Sequence, residues 1–498
     1  MGKIAQGTRA KVLGISVEQD ESESGNAPYL PQRIVLLAQG NTAASYSLEP
    51  FAATGPQDII AAGMGYGSIA DLCATLGLWP RDGDTVKGPA VTVYPLQDDA
   101  GGAAATGSIG ATGNVAKKHA IRVRINKQII SDAIALEVGD APAASVGKVK
   151  TALDALLRAP FTTGTVASGA VPLTCKWKGT TGNSISIELV DADNPALPPA
   201  DTTVTWTITQ LTGGSVDPSI DAALAKIGDV WETIVINTIG LVTATLDSFK
   251  DLAEAKWNQA VSKPFVAVAA NVLTDPSAAT ATGNARTTDR GNCCVTVPGS
   301  KSLPFVIAAR AVAARSNVAH DHPADDRTVA LTGIDPGPRA TQWKSEQREL
   351  AFSRGGSTVI IADGVRLGDL ITFYKPTGQD DHGYRHVVDI VRLQNASFKY
   401  SATFLGEKWD GAPMVMKGQP TPREPRARTE DDAITDLHVD TDELAAAAIV
   451  SNPEKAKKSA KAWVIPAEKR LNWEIKIPLS SNSNVIAGTL KFSLGGGF

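Results

Sequence analysis

The chain has 498 residues, of which 43% are hydrophobic and 20% charged, with a formal net charge of -4. That length exceeds what one hydrophobic core supports and predicts about two to four domains, while the near-neutral charge argues against a general nucleic-acid binder. No stretch of uninterrupted apolar residues is long enough to cross a membrane, and the N-terminal "MGKIAQGTRAKVLGISVEQDESESG" lacks a signal-like apolar run, so folding in a cytoplasm is expected. The four cysteines, Cys73, Cys175, Cys293 and Cys294, form no C-x-x-C pair and suit a reducing compartment as free, buried thiols.

In chain order, residues 1–30 are polar, with Glu18, Asp20, Glu21 and Glu23 clustered, and are expected to form an extended arm. Val12, Leu13, Ile15 and Val17 leave room in it for a short strand. "RIVLLAQ" (33–39) and "PAVTVYPL" (89–96) are predicted strands. Between them, residues 55–77 form a helix interrupted by glycines at 63–67. After a Gly/Ala-rich link at 98–113 comes a hairpin turning at Asn126–Lys127, then an amphipathic helix at 142–159 and two more strands. Residues of about 105–192 thus make a ββαββ module, expected as an outward-facing insertion because Gly/Ala-rich and Pro-rich links bound it. From 202 the pattern alternates short β-branched runs with helices, which indicates a mostly parallel sheet covered on both faces. Adjacent Cys293 and Cys294 lie in one such strand, "NCCVTVP", and should point to opposite faces.

A long helix is expected after Gly383, with Tyr384, Val388, Val391, Phe398, Ala402 and Leu405 on one stripe. A Pro/Arg-rich loop follows at 417–432, then a short helix "NPEKAKKSAKAW" (452–463) and two strands, "LNWEIKIPL" and "NVIAGTLKFSL". Lys455, Lys457, Lys458 and Lys461 crowd the short helix, with positions 454, 458 and 461 sharing a face.

Candidate chemistry concentrates in "HDHPADDRTVALTGI" (320–334), where His320, Asp321, His322, Asp325 and Asp326 lie at a density metal sites favour. His382 and His386 are four apart, yet no third ligand is nearby. The nearest approach to a phosphate-binding loop, at Gly147–Lys148, fails because Val149 follows the lysine. "GMGYGS" carries Ser68 where the dinucleotide fingerprint needs a third glycine, and no G-x-S-x-G elbow occurs. No cofactor, metal or catalytic residue is therefore expected.

The segment "HPADDRTVALTGIDPGPRATQWKSEQRELAFSRGGSTVIIADGVRLGDLITFY" resembles tail sheath proteins of Mu-like contractile-tailed phages. The matching pieces are Asp321 to Ala324, Leu331 to Ile334, Thr341 to Arg348, Thr358 to Ile361, Gly364 to Val365 and Ile371 to Tyr374. "CKWKGTTGNSISIEL" and "RLNWEIKIPLSSNSNVIAGTLKFSL" are similar to two further phrases of that family, although Ser480 to Asn484 stand where it is more apolar. The resemblance makes 320–334 a polar connection from helix to strand. It implies an α/β and α+β multi-domain fold with a subtilisin-like α/β domain, which brings a hydrolase in as the rival reading. The expected divisions are an arm (1–30), the N-terminal part of a core domain (31–98), an insertion (99–200), the α/β domain (201–375) and a C-terminal core segment with a terminal strand arm (376–498).

By the same resemblance, the protein is a non-enzymatic structural subunit of a phage tail. Copies stack as six-fold rings around a tail tube, and the lattice contracts when a baseplate triggers it, with tail tube, baseplate and terminator proteins as partners. Another baseplate or tail component is the alternative. Terminal strands, Val12 to Val17 at one end and Leu490, Phe492 and Leu494 at the other, would add to sheets of neighbouring copies. The four lysines are the candidates to face an acidic tube.

Overall fold

The computed structural model describes residues 29–80, 90–258, 261–321, 327–375, 384–416 and 424–481. The chain divides into two compact units, Met1–Gln394 and Asn395–Phe498.

The first unit is built on a six-stranded sheet. It contains β1 (Arg33–Gln39), β2 (Phe51–Ala53), β3 (Ala90–Leu96) and three later strands, Ile234–Asn237, Val266–Asn271 and Asn292–Thr296. All pairings are parallel except that of β2 with β3. Nearly every residue of the central strands is buried, as continuous apolar runs require when helices cover both faces. Even positions of β1, Ile34 and Leu36, join one core cluster, while Val35 and Leu37 join the other. The segment 31–98 was expected to group with the C-terminal segment. Instead β1 and β3 pair inside the parallel sheet, with β1 beside Ile234–Asn237. Between β2 and β3, α1 (Pro56–Ala61) and α2 (Ile69–Leu72), which runs on into a π-helical turn at Cys73–Leu78, are separated by the expected break. Gly63, Gly65 and Gly67 there take φ of 83°, 81° and 70°, a region closed to most L-residues.

The stretch 104–212 has more strands than its sequence suggested. β4 (Ala104–Thr112), β5 (His119–Ile125), β6 (Ile129–Ile130), β7 (Ile134–Leu136), α3 (Pro142–Ala155), β8 (Phe161–Thr163), β9 (Ala170–Lys178), β10 (Ile187–Asp191) and β11 (Thr205–Thr212) form two four-stranded sheets. The Gly/Ala-rich link is in fact strand β4, which lies between β11 and β9 and buries Ala105, Ile109 and Ala111 on one face. The run at 202–211, expected in the α/β domain, contains most of β11, which pairs antiparallel with β4 rather than joining the parallel sheet. Asn126 and Lys127 make the predicted turn with φ of 48° and 57°, as a type I′ turn demands. That hairpin docks on the α/β sheet's loops. Asn126 Nδ2 donates to Lys301 O (2.8 Å), Gln128 Nε2 donates to Gly333 O (2.9 Å), and Lys127 lies 3.5 Å from Asp335. Fully buried Trp177 meets Phe305 edge-on at 6.0 Å.

The rest of the first unit follows the expected alternation. It comprises α4 (Asp221–Ala225), β12 (Ile234–Asn237), α5 (Thr243–Lys256), β13 (Val266–Asn271), α6 (Pro276–Ala279), α7 (Ala281–Ala285), β14 (Asn292–Thr296), α8 (Pro304–Asp321), α9 (Ser345–Ser353), and a hairpin of β15 (Thr358–Ala362) and β16 (Gly364–Asp369). All four cysteines are free and buried. Cys293 and Cys294 belong to different clusters, hence to opposite faces of β14. Burial pushes the Cys294 thiol up to about 12. The strand expected at Ile371 to Tyr374 is reduced to isolated bridges, Ile371 with His386 and Thr372 with Cys293.

α10 (Val387–Leu405) contains the unit boundary. Along its expected stripe Val388 and Val391 are buried, but Ala402 and Leu405 are exposed. The second unit then holds a parallel pair, β17 (Met414–Val415) and β18 (Arg428–Thr429), followed by α11 (Glu430–Ala446), α12 (Pro453–Ser459) and a hairpin of β19 (Lys461–Ile465) and β20 (Arg470–Glu474). Helix α11 has no counterpart in the sequence reading. A capping box begins it: Thr429 Oγ1 accepts from Asp432 N, and Asp432 Oδ2 accepts from Thr429 N. Its Ala433, Leu437, Thr441 and Leu444 form the buried face. Lys461 begins β19 rather than ending the short helix, so it does not share a helical face with 454 and 458.

Candidate assembly surface

Among the described residues, no group of three or more His, Cys, Asp or Glu side chains could hold a metal ion. The side chains of His320, Asp321, His322, Asp325, Asp326 and His382 lie outside the described residues. His386 is half-buried, with Nδ1 3.2 Å from Asp369 Oδ2. Such a pair is two-thirds of a hydrolytic triad. No described serine, threonine or cysteine hydrogen-bonds to it, however. Nearby Ser357 Oγ is committed to the backbone, accepting from Ile371 N (2.8 Å) and donating to Ile371 O (3.0 Å). His119 and His438 sit on backbone carbonyls, those of Lys117 and Lys457.

The second unit offers a different kind of site, an open sheet edge. In β19, Val464 N donates to Glu430 Oε1 (2.9 Å) at the start of α11, so this N–H points away from β20. Hydrogen-bonded and non-hydrogen-bonded pairs alternate in an antiparallel ladder. The register Val464 with Leu471 and Ala462 with Trp473 therefore aims the N–H and C=O groups of Leu471 and Trp473 outward from β20. Among the described residues none of these four groups has a partner. The outer side of β19 is met by α11, whereas no described residue pairs with that of β20.

Aromatic packing holds this edge in place. The Trp473 ring stacks on Phe404 at 5.3 Å and leans on Tyr400 at 5.6 Å; Phe404 also meets Trp409 at 5.2 Å. Tyr400 Oη and Thr441 Oγ1 are hydrogen-bonded at 2.9 Å, joining this cluster to α11. On the hairpin's other face, Trp463 is 42% exposed, opposite Asn472. A two-stranded sheet with one edge unpaired among the described residues can take a further strand, whose main-chain hydrogen bonds supply affinity with little dependence on side chains.

The expected strands are those to be donated, and the receiving edge has no counterpart among them. Val12, Leu13, Ile15, Val17, Leu490, Phe492 and Leu494 lie outside the described residues. Of the lysines, Lys457 is tied to Asp442 and Glu454, both at 2.8 Å, and the hydrogen bonds it donates to Asp442 and then Glu454 raise its pKa. Lys455, Lys458 and Lys461 are exposed, and no described residue forms an ion pair with them. Local signals for the receiving edge existed, in "KAWVI" and "RLNWE" on either side of "PAEK", but the pairing of these runs is set by register.

No family model matches the chain. It is 24% identical over 305 residues to the Mu-like prophage FluMu tail sheath protein of Haemophilus influenzae, a match spanning 60% of this chain and 61% of that protein. The resemblance to Mu-like tail sheath proteins read in the sequence is borne out by this relative. Two solved structures align over most of the chain: the sheath tail protein of Listeria innocua (TM-score 0.48, 11% identity, 91% of this chain and 93% of that one) and the contracted helical sheath of the anti-feeding prophage (TM-score 0.45, 11% identity, 98% and 100%). Likenesses at these scores carry no functional argument.

Proposed function

We propose that the protein is a tail sheath subunit of a Mu-like contractile tail, a structural protein that polymerises around a tail tube. The observation carrying this reading is the 305-residue likeness to a Mu-like tail sheath protein. The outer edge of β20, unpaired among the described residues, supports it, because a subunit that must stay connected to neighbours needs an acceptor for their strands. In this reading the terminal segments at Val12–Val17 and Leu490–Leu494 supply those strands. Stacked six-fold rings surround the tube, and the extended lattice is a kinetically trapped arrangement that shortens by moving folded units as rigid bodies. Baseplate and terminator proteins cap the array. Assembly takes place in the host cytoplasm and the product resides in the virion tail. The exposed lysines Lys455, Lys458 and Lys461, with Lys457 beside them, face the tube. Electron microscopy of the purified full chain tests the proposal: tubes or rings are expected, and a monomer that persists at high concentration refutes it.

A further inference from the structure

The stretch Tyr384–Val387 is stitched onto the end of β16. Thr372 N donates to Arg385 O (2.7 Å), Val387 N to Leu370 O (3.0 Å) and Thr372 Oγ1 to Tyr384 O (2.7 Å), with Ile371 bridged to His386. Arg385 Nη2 reaches Phe352 O at the end of α9 (2.6 Å), and its guanidinium lies 4.4 Å from the Phe352 ring. His386 is the residue immediately before α10, and its carbonyl accepts the Asp389 and Ile390 N–H groups of the first turn. Its ring lies against Phe352 at 5.9 Å, with Nδ1 3.2 and 3.4 Å from the two Asp369 oxygens. This seam is mostly backbone-to-backbone and so indifferent to pH. The exception is the side-chain pair.

We infer that His386 and Asp369 form a pH-sensitive latch on the entry to α10, closed while the imidazole is doubly protonated and loosened when that proton leaves. The groups facing the ring decide the sign. From β16 comes Asp369. From α10 comes Asp389, itself bonded by Arg392 at 3.1 Å, and Arg385 is the adjacent cation. From α9, Glu349 acts on Arg385. Asp380, Asp381 and His382 precede in sequence, within a stretch outside the described residues. Burial pulls the imidazole pKa down, but the Asp369 hydrogen bond, then the charges of Asp369 and Asp389, raise it above its ordinary value. The positive end of α10 opposes an imidazolium at this position, so closure depends on Asp369 in particular. A histidine whose folded pKa is raised contributes stability that is complete below its unfolded pKa, about 6.5, and lost as pH rises through the folded pKa. The latch is therefore fully closed below about pH 6.5 and opens as pH rises through the raised folded pKa.

The full chain can be tested by two forms of hydrogen exchange read by mass spectrometry. Exchange at imidazole C2–H in the peptide containing His386 gives that residue's own midpoint in the unmodified protein. A midpoint above about 6.5 is expected, and one at or below it overturns the inference. Amide protection over 384–392, corrected for intrinsic exchange, should decline from pH 6 to 9 in the native protein. In His386→Gln, which keeps a donor without a titrating proton, it should stay level. A decline of equal size in both proteins, or none in either, removes the latch. Asp369→Asn, a second variant retaining shape, should lower the imidazole midpoint; an unmoved midpoint is likewise fatal.

Discussion

Replacing Leu471 by proline probes the β20 edge directly. The Leu471 N–H points outward and has no partner among the described residues, so its removal leaves the β19–β20 hydrogen bonds intact, and proline is tolerated on an edge strand. A strand added to this edge would use the two N–H and two C=O groups of Leu471 and Trp473. At a net of about 0.5–1.5 kcal/mol each, these four bonds are worth about 2–6 kcal/mol per joint. The proline deletes one bond outright, and its ring keeps the incoming strand from the others. Since 1.4 kcal/mol is a factor of about ten, loss of even 2 kcal/mol raises the critical concentration for assembly roughly 30-fold. Light scattering against concentration, with electron microscopy of the product, measures the shift. Leu471→Ala is the control, because it removes the half-buried side chain but keeps the N–H, and it should assemble near the native concentration. If the proline variant keeps the native far-ultraviolet spectrum and still assembles at the native concentration, strand addition at β20 is wrong.

Removal of residues 1–17, or of 488–498, should leave a soluble folded monomer that no longer polymerises; normal tubes from either protein would show that terminal strands do not hold the lattice. Reversing Lys458 and Lys461 to glutamate should weaken tube-templated assembly most at low salt, where exposed charges are least screened, and unchanged low-salt assembly would remove the tube-facing assignment. Truncating fully buried Trp177 to alanine should cost about 3–5 kcal/mol, and with it the ring that meets Phe305. Calorimetry should show a lowered transition, and an unchanged one would mean that this contact does not anchor the insertion.

Much of the architecture is local in origin and was legible as such. The apolar run at 33–39 is β1 to the residue, the Asn126–Lys127 turn has the backbone its residues favour, and two adjacent cysteines separate to opposite faces because a strand's period is two. Helix α11 was also written locally, in Thr429 and Asp432 ahead of a period-3.6 apolar row, but its many acidic residues masked that row. The Gly/Ala-rich stretch at 104–112 gave the opposite error. Small residues weaken the alternation that marks a strand, and β4 is held between two partners more than by its own propensity.

Sequence by itself determined which stretches can be strand or helix, the two-sided burial of the parallel strands and the resemblance to Mu-like tail sheath proteins, since periodicity and short phrases are properties of neighbouring residues. Tertiary structure alone decided that β1 and β3 enter the α/β sheet, that β11 pairs with β4, that His386 meets Asp369, and that Leu471 and Trp473 face outward with no partner among the described residues. Each of these joins residues distant in the chain, or depends on which side of a strand is already occupied. A strand's hydrogen-bonding groups are identical whatever its sequence, so the choice of partner is made by packing and register across the whole fold.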